Sequence, residues 1–340
     1  MIVLGASAGG VESLSMLVSK LPRSLPAAVL VVLHMSAGAA SVLAGILDGS
    51  GPLSASFATE RQPMRPGSIL VAPPGRHLMI EDGHAVLSSG PRENGHRPAI
   101  DPLFRSAARS FRQRAAGALL SGTLDDGVLG LAAIKYSGGR AFVQHPDEAL
   151  HPSMALNAIS RVALDGVLTL EELAGALTRF AREPIDVRAV AHRSGTGEVM
   201  EPRPDERDHM DRLQAEGRLT GFTCPACGGA IWEIERAGIT SLRCHVGHAY
   251  GIETFAAEHA NAVEHALWSA VRSLQEKEEL LERLGEGARM GGREQSARTF
   301  FEQAADVRRS VETIRRVAMA ATTAEPHAEV LDVGEEELPA

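Results

Sequence analysis

Ile2-Val3-Leu4-Gly5-Ala6-Ser7-Ala8-Gly9-Gly10-Val11-Glu12 is a short apolar run, then a turn of small residues, then residues able to open a helix. That is the strand–turn–helix order of an α/β unit. Ser7 stands at the crown of the turn. Its small neighbours let the backbone bend sharply and let another group come close. The first amides of the following helix favour developing negative charge beside its hydroxyl. Two chemistries fit this stretch: a phosphate-cradling turn of a nucleotide-binding fold, and a nucleophilic serine on a turn.

The next strand separates them. Ala27–Leu33 (AAVLVVL) is β-branched and apolar, as a buried parallel strand should be. A dinucleotide site wants an acidic residue about 20 positions beyond the glycines. Here the strand ends in His34 instead. Reactive groups in open α/β sheets gather at the carboxyl ends of strands, so Ser7 and His34 are expected on one edge.

A third strand end completes the set. Ala116–Leu120 is another buried strand, and it runs into Asp125-Asp126-Gly127 before a helix over Val128–Lys135. Asp126 is therefore expected at the same rim. Histidine can take the serine proton, and a carboxylate can fix the imidazole tautomer and stabilise its cation. The blander readings are a turn serine, a hydrogen-bonded edge histidine and a helix-capping aspartate. Between these strands, helices are expected after Ser7 to about Leu21-Pro22, over 41–47, after Asp101, and over Pro152–Ile159 and Leu170–Phe180. Further strands are Ser68–Val71 and Arg140–Gln144, and Asp82-Gly83 joins a hairpin. The alternation predicts an α/β fold with a doubly wound, mainly parallel sheet over 1–182.

Composition limits the alternatives. A net charge of −9 argues against a general nucleic-acid binder. No apolar run reaches the roughly 18 residues of a membrane span, and the N-terminus lacks a signal peptide's basic region. The 3 cysteines cluster between 224 and 244, which suits a metal site in a reducing compartment. A cytoplasmic protein is expected.

Residues 183–218 are polar and contain Pro202 and Pro204, so they read as a linker. In the next stretch, 219–252, Cys224-Pro225-Ala226-Cys227 and Cys244-His245-Val246-Gly247-His248 flank a hairpin-like segment. Two pairs of ligands on two short turns suit a tetrahedral, zinc-ribbon-like module holding structural Zn2+. Cys224, Cys227, Cys244 and His248 are the expected ligands; His245, adjacent to Cys244, would strain the tetrahedron. A redox Cys-x-x-Cys would leave Cys244 and His248 unexplained. Over 253–321, apolar residues recur with four-three spacing. They are Val263, Leu267, Ala270, Leu274, Leu281 and Leu284, then Phe300, Ala304, Val307, Val311, Ile314 and Ala318. This predicts two helices, separated by Gly285–Gly292, forming a helical hairpin or a coiled-coil seam. The acidic stretch 322–340 lacks periodicity and reads as a disordered tail.

Residues 2–180 resemble the catalytic domain of the CheB-type chemotaxis protein-glutamate methylesterases. The resemblance rests on GASAGG around Ser7, VVLHM around His34, VAPPGRHLMI at 71–80 and RPAIDPLFRSAA at 97–108. LLSGTLDDGVLGL at 119–131 and GGRAFVQ at 138–144 continue it. It implies Ser7 as nucleophile, His34 as base then acid, and Asp126 as its orienting carboxylate, with no cofactor for catalysis. It further implies hydrolysis of γ-glutamyl methyl esters on the cytoplasmic helices of methylated chemoreceptors, giving glutamate and methanol, with glutamine deamidation as a sister reaction. Ala8 and Thr123 depart from the threonine and methionine frequent in the family. No N-terminal receiver domain is expected, and Met1 lies so close to the first strand that a few residues are expected to precede it. His77, Arg97 and Asp101 lie in matching loops, as cleft residues or as loop-stabilising groups. The contrasting reading is a catalytically weak scaffold that binds signalling partners through its C-terminal module or helices.

Overall fold

Seven strands pair into a single parallel sheet in the computed structural model, which describes residues 1–35, 41–184, 209–236 and 238–323. In chain order, the first elements are β1 (Ile2–Ala6), α1 (Gly10–Ser19), β2 (Val29–Leu33), α2 (Leu43–Ser50), β3 (Ser54–Phe57), β4 (Gln62–Pro63) and β5 (Ser68–Val71). Next come β6 (His77–Glu81), β7 (His84–Ser88), α3 (Ile100–Phe111), β8 (Ala116–Leu119), α4 (Val128–Tyr136), β9 (Arg140–Gln144), α5 (Ser153–Arg161), β10 (Gly166–Leu168) and α6 (Leu170–Arg182). The sheet order is β10-β9-β8-β1-β2-β5-β3.

The winding follows from burial on both faces. Every residue of β1 and β2 is buried, as expected of strands covered above and below. Leu14, Leu17, Leu47, Leu173 and Leu177 of α1, α2 and α6 pack on one face. Leu103, Phe104, Leu131, Ile134 and Met154 of α3, α4 and α5 pack on the other. The chain leaves β1 toward β2 and later returns to β8 on the other side. The carboxyl ends of β8, β1 and β2 therefore flank a topological switch point, where such sheets bind ligands. A small antiparallel sheet, β4-β7-β6, contains the expected hairpin.

The edge strands β3 and β10 were not apparent in the pattern. They are short, and none of their side chains is fully buried, so they carry no apolar run.

Residues 209–216, inside the stretch read as a linker, form α7 (His209–Glu216), and its Leu213 packs on Trp232 and Ile234. The remainder of that stretch, 185–208, lies outside the described residues, as do 324–340 of the acidic tail. After α7, the strands β11 (Arg218–Thr223), β12 (Ala230–Arg236), β13 (Ile239–Cys244) and β14 (Ala249–Tyr250) form a four-stranded antiparallel sheet. Its core holds Cys224, Ile231, Leu242, Cys244, Tyr250 and Phe255.

By contact density the chain divides into Met1–Phe255 and Ala256–Ala340. The second unit contains most of α8 (Ile252–Met290) and all of α9 (Glu294–Thr323). Three intervening residues allow an antiparallel hairpin, buried around Val271, Leu281, Ala304, Val307 and Val311. The helix does not break at Gly285 as the glycines suggested. A Cβ there would come within 2.8 Å of the Phe301 ring, so glycine lets α9 pack close, at a helix-propensity cost of about 1 kcal/mol. Val263 and Leu284 of the expected stripe are exposed, whereas Val271, outside it, is buried. Among the described residues no helix is long and apolar enough to cross a membrane.

Candidate active site

Three adjacent strands deliver three side chains to one rim. Ser7 follows β1, and its N–H donates to Ser121 O beyond β8 at 2.9 Å. His34 follows β2, and its N–H donates to Ala6 O at 3.2 Å. The backbone thus extends the parallel pairing just past the strand ends and fixes both residues. Ser7 Oγ lies 3.0 Å from His34 Nδ1, and His34 Nε2 lies 2.6 Å from Asp126 Oδ2. Only 6% of the His34 side chain and 2% of that of Asp126 are exposed.

Asp126 is held as an anion. The amides of Ile100 and Asp101, at the start of α3, donate to its two oxygens at 2.7 and 3.3 Å. Asn94 Nδ2 adds a third bond at 2.7 Å. Burial alone would raise the carboxyl, but the bond to His34, the imidazole's charge and these donors hold it well below the usual range. An ionised Asp126 accepts a hydrogen bond from Nε2–H, which leaves the Nδ1 lone pair for the Ser7 hydroxyl. The geometry therefore selects the tautomer in which Nδ1 is the base.

A second carboxyl lies beside it. Burial, then the nearby Asp126 charge, push Asp101 well above its ordinary value. His96 stacks on His34 with ring centroids 3.7 Å apart. Burial, then His34, push His96 down to about 4, so the stack is neutral on that side.

The turn after Ser7 supplies amides. Gly9 takes a left-handed φ of 68° at the N-terminus of α1, and a Cβ there would meet Ser121 Oγ at 2.8 Å. Among the described residues the N–H groups of Ala8 and Gly9 have no partner, while Gly10 N–H donates to Ser7 O. Two open amides at a helix N-terminus beside a hydroxyl form a candidate oxyanion site.

The structure brings Ser7, His34 and Asp126 together. The loop candidates hold the scaffold: His77 is buried and bonds Pro91 O at 2.9 Å, and Arg97 donates to Ser89 O and Gly90 O at 2.9 and 2.7 Å. Asn94 and His96 were missed. Asn94-Gly95, with φ of 49° and 73°, is legible as a turn, but nothing in the pattern reveals what its side chain touches.

Twenty-odd residues of the C-terminal sheet bring Cys224, Cys227, Cys244 and His248 together, their ligand atoms all within 4.8 Å of one another. Cys227 Sγ and Cys244 Sγ are 3.7 Å apart, and His248 Nδ1 is 3.4 Å from Cys244 Sγ and 3.7 Å from Cys224 Sγ. Tetrahedral zinc with bonds of about 2.3 Å needs sulfurs about 3.8 Å apart, so the donor set fits. His245 instead lies over Gly229, outside the cluster.

Residues 2–177 match the family model described as CheB methylesterase. The chain belongs to the CheB methylesterase family. Among the similar proteins is an Anaeromyxobacter dehalogenans protein named protein-glutamate methylesterase/protein-glutamine glutaminase 2. It is 39% identical over 53% of this chain and 53% of the relative. A Symbiobacterium thermophilum protein of the same activity name is 34% identical over 54% of this chain and 51% of the relative. The chain thus spans about half the length of these relatives. The crystal structure of the Thermotoga maritima CheB methylesterase catalytic domain aligns with a TM-score of 0.50 and 28% identity, covering 52% of this chain and 96% of that one. The parallel sheet with its flanking helices is thus the CheB catalytic-domain fold.

Proposed function

We propose that the chain is a serine hydrolase that removes methyl esters from glutamyl side chains, with Ser7, His34 and Asp126 as its catalytic residues. The observation that carries this reading is the unbroken line Ser7 Oγ–His34 Nδ1–His34 Nε2–Asp126 Oδ2, at 3.0 and 2.6 Å, at the carboxyl rim of the sheet. Family membership supports it, and so do the relatives' names.

Ser7 Oγ attacks the ester carbonyl while His34 Nδ1 takes its proton. The amides of Ala8 and Gly9 meet the oxyanion, a contribution of about 3 kcal/mol per donor in such sites. The tetrahedral adduct collapses by breaking its C–OCH3 bond, and the His34 proton leaves with methanol. Water then attacks the acyl-enzyme, passing its proton to His34, which returns it to Ser7 as glutamate is freed. With glutamine the leaving group is ammonia, and the rest is unchanged. No step requires a cofactor.

The substrates in this reading are methylated glutamyl residues on the cytoplasmic helices of chemoreceptors, which places its action in the cytoplasm. Cys224, Cys227, Cys244 and His248 would hold one structural Zn2+. Four protein ligands leave it no open position, so its contribution is to the fold of the module. Leu280 and Leu284, exposed four residues apart on one face of α8, are the surface a signalling partner would use. No observation favours an inactive scaffold.

The test is methanol and ammonia release from receptor fragments carrying γ-methyl glutamate or glutamine. Methanol release by the wild type, and none by Ser7→Ala, is expected; release undiminished in Ser7→Ala would overturn the reading.

A further inference from the structure

Asn94 lies between the catalytic rim and the cysteine module. The residue is 3% exposed, and both polar atoms of its side chain are hydrogen-bonded. Nδ2 donates to Asp126 Oδ1 at 2.7 Å and to Asp101 Oδ2 at 3.2 Å, while Oδ1 accepts from Gly251 N–H at 2.7 Å. The chemistry fixes the orientation, because only Nδ2 can face two carboxyl groups and only Oδ1 can face an N–H. Its main-chain N–H donates to Ala249 O at 2.7 Å. Glu93, the residue before it, forms a bridge to Ala249 and accepts from Arg105 at 2.8 Å. Ala249 directly follows His248, whose carbonyl accepts from Cys244 N–H at 3.0 Å. The segment that contacts Asn94 is therefore continuous with the turn bearing two of the four candidate ligands.

We propose that Asn94 is a positioning residue for the esterase reaction, setting the Asp126 carboxylate against His34 from a place that residues 249–251 of the C-terminal module define. The inference rests on the hydrolase reading above. Asn94 touches no reacting atom. It acts through Asp126, whose Oδ1 it holds while Oδ2 faces the imidazole. His96, two residues on, stacks on the same imidazole, so one loop bears on both members of the pair. The C-terminal module is thus part of the support of the active site. A catalytic domain carrying a different attachment would place this loop by other means.

The experiment uses the full chain and two readouts. One is the second-order rate of Ser7 labelling by a fluorophosphonate probe. The other is the downfield proton resonance of the His34–Asp126 hydrogen bond, which a merely structural residue would leave in place. Asn94→Gly keeps the left-handed backbone unstrained and deletes the carboxamide. It should slow labelling roughly 10- to 100-fold, the worth of one hydrogen bond to a charged group, and move the resonance. Asn94→Asp keeps the shape and the acceptor for Gly251 but turns a carboxylate toward Asp126, and should be at least as slow; it serves if the glycine variant does not fold. Gly251→Ala puts a Cβ 2.0 Å from Asp125 Oδ2 and so forces the segment off its seat. It should slow labelling too, and add nothing in the Asn94→Gly background.

Folded Asn94 variants with wild-type labelling and an unmoved resonance would overturn the positioning role. Additive effects of Gly251→Ala and Asn94→Gly would overturn the dependence on the module. An unlabelled wild type whose resonance still moves in Asn94→Gly would instead sink the hydrolase reading and keep the positioning.

Discussion

Asp125 and Asp126 are neighbours in the chain and serve opposite partners. Asp126 accepts from His34, whereas Asp125 accepts from the amides of Glu253 and Thr254 at 3.4 and 3.2 Å, capping the first turn of α8. One carboxylate orients the imidazole and the other fastens the segment after the cysteine module. Substitution should separate them. Asp126→Asn should lower kcat for methyl-ester hydrolysis roughly 10³- to 10⁴-fold, through the wrong tautomer and a lost anion. Asp125→Asn should keep kcat within about tenfold, because its bonds lie on the other side. Steady-state methanol release decides between them, and equal losses in both variants would refute the assignment.

Asp125 also makes stability depend on pH. Burial, then the Glu253 carboxyl, push it up to about 7. The folded state keeps a proton that the unfolded chain releases near pH 4, so stability should fall as pH rises from about 4 to 7 and level off above. Glu253 titrates lower. Burial would raise it, but Arg161, donating from Nη1 at 2.8 Å, brings it down to about 2. Its loss of stability begins only below about pH 4.5, outside the window. Urea unfolding at pH 5 and pH 8 should show the wild type weaker at pH 8 by on the order of 1–3 kcal/mol, and Asp125→Asn nearly indifferent.

Gly9→Ala tests the oxyanion site. Alanine strains the left-handed turn by about 1–2 kcal/mol and pushes against Ser121 Oγ and Leu150. Displacing the Ala8 and Gly9 amides should lower kcat about 10- to 1000-fold with KM little changed, because those amides bind charge present only in the transition state. A raised KM with unchanged kcat would place the oxyanion elsewhere.

How much of this was legible in the sequence follows from where each signal resides. Ser7 and His34 end strands buried on both faces, and such strands read as continuous apolar runs whose ends are visible. Asp126 follows a third strand of the same kind. The edge strands β3 and β10 have no such run. The helix through Gly285 was hidden because its compensation, the Phe301 ring, lies on the other helix. Asn94 was hidden for a related reason. Two of its three side-chain partners, Asp126 and Gly251, are 32 and 157 residues away in the chain, and local pattern carries nothing about so long a span. The cluster of Cys224, Cys227, Cys244 and His248 was legible because their spacing is local, in two pairs.

Metal content tests the cluster directly. The purified chain should carry about one zinc per molecule, and Cys224→Ser or Cys244→Ser should carry almost none, since three ligands hold structural zinc far more weakly. Elemental analysis with thermal unfolding is the measurement. Unchanged melting in metal-free Cys244→Ser would show that the cluster contributes nothing to the fold.

The catalytic line from Ser7 through His34 to Asp126 is tested most directly by mass spectrometry of the enzyme quenched during turnover of a γ-methyl glutamyl peptide. The expected result is one acyl group on the peptide containing Ser7, absent in Ser7→Ala and much reduced in His34→Ala. Methanol release at the wild-type rate by Ser7→Ala, or an acyl group on another residue, would contradict it.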